Sequence, residues 1–176
     1  MEIQPEQFEL QPKLTGELVE LRPLRPEDWS ELFEVASDPL IWEQHPASDR
    51  YKENVFKIFF REALESGGAF VVLDRINPRI IGSTRFYGLD LATSEIEIGW
   101  TFLARSYWSD SYNRKMKRLL LTHAFKFVER VVFYVGENNL RSRKAMQKIG
   151  GVEHGLVQRP TQDGFVTSIR YVISKP

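Results

Sequence analysis

The chain has 176 residues, 42% of them hydrophobic, which suits one domain around a single sizeable core. Lysine plus arginine equals aspartate plus glutamate at 24 each, so there is no global basic excess of the kind a nucleic-acid-binding protein carries. The lack of cysteine removes disulfides, thiolate nucleophiles and cysteine metal sites, and three histidines at distant positions give no metal cluster.

Residues 1–13, with two prolines and scattered charge, read as an N-terminal arm, and 14–176 as one domain. The opening MEIQPEQFELQPKL has no apolar run of signal-peptide character, and nothing later reaches membrane-spanning length. The expectation is a soluble, cytoplasmic protein with no membrane partner. Glu17 to Arg22 alternates as a strand, and Pro26-Glu27-Asp28 opens a helix with Leu32, Phe33 and Ala36 inward, stopped at Asp38-Pro39. A second helix, about Lys52 to Glu65, buries Val55, Phe56, Phe59, Phe60, Ala63 and Leu64 and ends at Gly67-Gly68. Strands follow at 69–74 and 79–87, separated by an Asn77-Pro78 turn, and then at 94–103. The remaining elements are a helix from about Asn113 to Val128, a strand at 131–135, a helix from about Asn139 to Ile149 and a hairpin turning at Asp163-Gly164. This order gives a mixed α/β domain built on one sheet.

The stretch SYWSDSYNRKMKRLLL, from Ser106 to Leu121, runs a polar loop straight into a basic helical turn. Backbone N–H groups at a helix N-terminus, with the helix dipole, make an anion cradle there; a merely solvated helix start is the plainer alternative. Together with VVFYVGENNLRSRKAMQKIGG and the Asp163-Gly164 hairpin, the segment EIEIGWTFLARSYWSDSYNRKMKRLLL resembles the GNAT superfamily of acyl-CoA-dependent N-acetyltransferases, most closely its ribosomal-protein N-terminal acetyltransferase branch. The resemblance spans about Leu14 to Ser174. It implies a central, mostly antiparallel sheet with a splayed pair of parallel strands, flanked by about four helices, with acetyl-CoA lying in the splay.

By the same resemblance the cofactor's diphosphate rests on Trp108, Ser109, Asp110, Ser111, Tyr112, Asn113 and Arg114. Trp108 stands at the family's Gln/Arg position, and serines at 109 and 111 and Asn113 stand where small residues, mostly glycines, are usual. The cradle needs main-chain amides, which any residue supplies, whereas Asp110 brings an opposing negative charge that Arg114, Lys115 and Lys117 can offset. Asn139, Ser142 and Gly150 match the family's second motif, in which Asn139 contacts the pantetheine arm; an ordinary helix N-cap is the alternative reading of that residue.

Amide formation from a thioester needs a deprotonated amine near the carbonyl carbon and donors for the developing oxyanion. Without cysteine an acetyl-cysteine intermediate is excluded, so direct attack in a ternary complex is implied. Period two puts Glu95, Glu97, Gly99 and Thr101 on one face of their strand and Ile96, Ile98, Trp100 and Phe102 on the other. Glu97 matches the position where many relatives place a general base; a structural carboxylate paired with Arg85 or another basic neighbour is the alternative. The N–H groups near Phe102 and Leu103 would serve the pantetheine and thioester. Met146 stands where many relatives carry an acidic tyrosine, leaving Ser142 as the nearest proton donor. Trp42 and His45 are acceptor-contact candidates, whereas His123 reads as a packed histidine. The expected acceptor is a small-molecule amine or a protein N-terminus, with no nucleic acid and no metal. Monomer and homodimer both fit. A degenerate, non-catalytic acyl-CoA binder is the alternative function.

Overall fold

The computed structural model describes residues 8–161 and 163–176. Part of the expected arm, residues 1–7, lies outside them. Within the described part Phe8 is buried against Phe86, Phe127 and His123, with ring centroids 5.6, 4.8 and 5.6 Å away.

Among the described residues eight strands form one sheet in the order β1-β2-β3-β4-β5-β6-β8-β7. These are β1 (Leu14–Thr15), β2 (Val19–Pro23), β3 (Ala69–Asp74), β4 (Arg79–Asp90), β5 (Glu95–Leu103), β6 (Arg130–Gly136), β7 (Val152–Thr161) and β8 (Gly164–Ser174). Every neighbouring pair is antiparallel except β5–β6. The helices are α1 (Trp29–Ala36), α2 (Glu53–Ser66), α3 (Asp110–Ala124) and α4 (Leu140–Lys148). No helix among the described residues is long and apolar enough to cross a membrane.

Each face of the sheet carries its own apolar cluster. Phe56, Phe59, Phe60 and Ala63 follow the i, i+3, i+4, i+7 spacing that stacks one stripe of α2, and they pack with Leu32, Ala36, Trp42 and Phe102. Gly67 then ends α2 in the left-handed conformation, φ +65°. On the opposite face Met116, Leu120 and Ala124 of α3 and Met146 of α4 pack on Phe70, Phe86, Ile96, Ile98, Val131 and Tyr171.

Two local readings are corrected. Helix α3 begins at Asp110 rather than near Asn113 and ends at Ala124, because Ser109 is extended (φ −129°, ψ 154°) and Asp110 supplies the acidic first turn that helices favour. The alternation of β5 is broken: Arg85 pairs with Gly99 but Ser83 pairs with Phe102, so β5 holds one more residue than β4 over that stretch. The extra residue is a bulge at Trp100, whose φ is +52°. Past it the faces exchange. Phe102 joins the cluster under α1 and α2, Trp100 packs there too, and Leu103 joins Ile96 and Ile98 on the α3 side.

Candidate active site

The bulge also opens the site. Parallel pairing of β5 with β6 covers only Glu95 to Glu97 against Arg130 to Val132. Beyond it β6 stays paired with β8 as far as Gly136, while β5 stays with β4 as far as Leu103. The two strands diverge into a cleft of about 1370 Å³, lined by residues of β5, β6, α3, α4, the α1–α2 connection and the β7–β8 hairpin. That volume exceeds the roughly 300–1,000 Å³ of an ordinary small-ligand pocket. It suits an extended ligand with room for a second molecule.

Helix α3 points its N-terminus at one end of this cleft. Its N-cap, Ser109, makes no side-chain capping bond, and Asn113 N–H reaches the Ser109 carbonyl only at 3.4 Å. The first-turn amides of a 15-residue helix are therefore available to an anion. Asp110, the feared obstruction, donates its charge elsewhere: its carboxylate accepts from Lys148 Nζ at 2.8 Å across the cleft mouth. Lys148 holds that carboxyl below the usual range, with Arg114 adding to the effect.

The loop before α3 is fixed from behind. Tyr107 is buried, donates to Asp74 Oδ2 at 2.6 Å and accepts from Arg79 Nη2 at 2.9 Å, so β3 and β4 anchor it. Trp108 donates its indole N–H to the Leu103 carbonyl at 2.9 Å, and the Arg141 guanidinium lies 3.4 Å from the Trp108 ring centroid. Trp108, Ser109, Asp110, Asn113 and Arg114 line the cleft, whereas Ser111 and Tyr112 do not; Tyr112 packs edge-on against Tyr107 at 4.9 Å. Asn139 caps α4 by accepting from Ser142 N–H at 3.4 Å, is buried, and lines the cleft together with Ser142. Phe102 and Leu103 are buried at its floor.

Deeper in the cleft Glu97 is buried beneath a two-pronged ion pair. Arg159, from β7, donates to Oε1 at 2.7 Å and to Oε2 at 3.1 Å, while its guanidinium lies 4.1 Å from the Tyr134 ring centroid. A carboxylate has about four lone-pair positions and Arg159 occupies two, which leaves room for a further donor. His45 lines the cleft. Burial, with help from Arg50 and Arg141, pushes its imidazole down to about 3, so it is neutral at physiological pH. Trp42 lies behind that wall, 2% exposed, with its indole N–H on the Ala36 carbonyl at 2.8 Å. His123 is buried outside the cleft and donates Nε2–H to the Glu9 carbonyl at 2.7 Å.

Sequence reasoning did not single out Arg159 or the site of Lys117. Arg159 comes from the far hairpin, where only tertiary structure pairs it with Glu97. Lys117, expected to help offset Asp110, instead has its Nζ inside the splay, 3.0 Å from Thr101 Oγ1 and 5.2 Å from the Phe133 ring centroid. Burial pushes this amine down to about 7. The signal was present: Lys117 falls on the same helical stripe as Met116 and Leu120. Among the described residues no group of acidic, histidine or cysteine side chains could hold a metal ion.

The sequence matches the profile of the acetyltransferase (GNAT) domain over residues 19–152. No curated protein sequence matches it. The fold is similar to that of a GNAT-family acetyltransferase from Bacillus anthracis, at 20% identity, covering 93% of this chain and 98% of that one with a TM-score of 0.76. It is similar to the microcin C7 self-immunity acetyltransferase MccE, whose structure contains acetyl-CoA and AMP, at 13% identity over 95% and 99% of the two chains with a TM-score of 0.76. It also resembles a candidate ribosomal-protein-serine acetyltransferase from Vibrio cholerae, at 12% identity over 93% and 97% with a TM-score of 0.77.

Proposed function

We propose, for a chain that belongs to the GNAT acetyltransferase family and takes its acetyl group from acetyl-CoA, direct transfer to a primary amine in a ternary complex. The observation that carries this reading is the cleft opened by the Trp100 bulge, with the uncapped α3 N-terminus at its mouth and Glu97 buried at its inner end.

The residues present fit the co-substrate. The Asp110 amide at the start of α3 and the side chains of Ser109, Asn113 and Arg114 would hold the diphosphate, while Asn139 and the free edge of β5 near Phe102 and Leu103 would hold the pantetheine. Acetyl-CoA supplies an electrophilic thioester carbonyl. Glu97 takes the proton of the incoming ammonium, directly or through water, at a lone pair that Arg159 leaves free. Arg159 fixes the orientation of that carboxylate, and Ser142, which lines the cleft, would protonate the departing thiolate. Proximity in the cleft supplies several kcal/mol of the barrier reduction.

The motif likeness and the fold shared with the Vibrio protein support a place near the ribosomal-protein branch, with a protein N-terminus as one acceptor class and a small-molecule amine as the other. A cysteine-free chain drawing on acetyl-CoA suits the cytoplasm. Calorimetric titration with acetyl-CoA, followed by thiol release with an amine panel, tests the reading. Saturable micromolar binding with amine-dependent thiol release is expected; binding without release identifies a non-catalytic acyl-CoA binder, and no heat at all rejects both.

A further inference from the structure

Arg85 of β4 and Glu97 of β5 share a face of the sheet. Arg85 lies opposite Gly99 and Tyr87 opposite Glu97, so guanidinium and carboxylate belong to neighbouring cross-strand pairs. Arg85 is only 4% exposed, and its Nε and Nη2 have no hydrogen-bond partner among the described residues. Its guanidinium lies 4.3 Å from the Trp100 ring centroid and 5.7 Å from that of Phe59. A second cation sits on the same Phe59 ring: the Arg50 guanidinium is 5.0 Å from its centroid, 5.6 Å from Trp42, and touches His45 Nε2 at 3.5 Å. Arg50, Phe59, Trp100 and His45 all line the cleft, and Arg85 lies behind them, against the Phe59 and Trp100 rings.

Neither guanidinium forms a salt bridge among the described residues. Glu62 acts on both, Asp49 on Arg50 and Glu97 on Arg85, at longer range. Arg159 already claims Glu97, and His45 is neutral. Burial pushes both guanidiniums down to about 10, and Arg85 lowers Arg50 further. Aromatic faces soften the cost of burying a cation but accept no in-plane hydrogen bond. Two half-compensated cations beside the amine-facing carboxylate therefore lack an anion.

We propose that Arg50, backed by the charge of Arg85, forms an anion subsite in the acceptor pocket, so that the acceptor is a small amine carrying its own carboxylate or phosphate a few bonds from the nitrogen. The ammonium of such a zwitterion meets Glu97 while its anionic group meets Arg50, with Arg85 adding positive charge from behind. The assignment rests on the acetyl-transfer reading given above.

The test compares thiol release for matched acceptors with and without the anion: glycine against ethylamine, and phosphoethanolamine against ethanolamine. Wild-type kcat/KM should be at least tenfold higher for the anionic member. Arg85→Gln and Arg50→Gln should each erase most of that preference, leaving the neutral amines and acetyl-CoA affinity unchanged, and Arg85→Lys should restore part of it. Arg50 is half-buried, so its variant decides the matter if Arg85→Gln fails to fold. Equal kcat/KM within each pair, or variants that lower both members alike, would overturn the subsite while leaving acetyl transfer standing. If no amine is acetylated, binding of N-acetylglycine to the coenzyme A-saturated protein decides. Arginine-dependent binding upholds the subsite and separates its fate from that of the transfer reading; no binding removes it.

Discussion

The two ends of the cleft are made differently. The mouth, where α3 begins, is built chiefly from main-chain amides and an open strand edge, with Ser109 left free of any capping bond and Asp110 tied to Lys148. The inner end is built from side-chain charge delivered by separate segments, with Glu97 from β5, Arg159 from β7, Arg85 from β4 and Arg50 from the α1–α2 connection. A backbone site tolerates substitution because every residue carries an N–H. A side-chain site does not, and its ligand preference changes with single residues.

That contrast can be broken in order of effect. Glu97→Gln should cut kcat by about 100-fold or more, the scale of a lost proton acceptor, with acetyl-CoA affinity within about twofold of wild type. Unchanged turnover in steady-state assays would remove Glu97 from the chemistry. Lys117, between the two ends, gives the next effect. Its folded-state value near 7 lies below the 10.5 of an exposed lysine, so between those pH values the unfolded chain holds a proton that the folded chain has shed. Raising the pH through that window favours the fold by up to about 1.4 kcal/mol per unit. Lys117→Met should be more stable than wild type below pH 7, with the gap narrowing towards pH 10.5 in denaturant titrations. A pH-independent gap would mean that the amine is not desolvated.

At the mouth the effects should be smaller and should follow the backbone. Asp110→Pro removes one N–H at a first-turn position where proline is tolerated, and should weaken acetyl-CoA binding about tenfold. Asp110→Ala, which keeps the amide, should stay within about threefold. If both weaken binding equally, the side chain rather than the amide holds the ligand. Smallest of all, Lys148→Ala frees the Asp110 carboxylate to face an incoming anion and should lower acetyl-CoA affinity two- to threefold, an effect that salt should suppress.

The same contrast governs how much was legible in the sequence. Strand Ala69–Asp74 and the phenylalanine stripe of α2 were readable because short-range periodicity dictates them. The α3 cradle was readable as a loop-to-helix junction, although its start was misplaced by three residues, since Ser109 extends the chain without the side-chain bond that usually marks a cap. The bulge was hidden, because a tryptophan at positive φ carries none of the glycine signal that announces such a turn. Arg50 and Arg159 were invisible for another reason, and Arg85 was visible only as a candidate partner of Glu97, a place that Arg159 takes. Each is an ordinary surface-type residue in its own segment, and only tertiary assembly brings it to Glu97 or to the Phe59 ring.

The Trp100 bulge sends Phe102 into one apolar cluster and Leu103, its neighbour across a single peptide bond, into the other. Neither half can come apart without pulling on the same strand, so opening of the α1–α2 side and of the α3 side should report as one event. Amides of β4 and β5 should then show the slowest hydrogen exchange in the protein, with a common opening free energy.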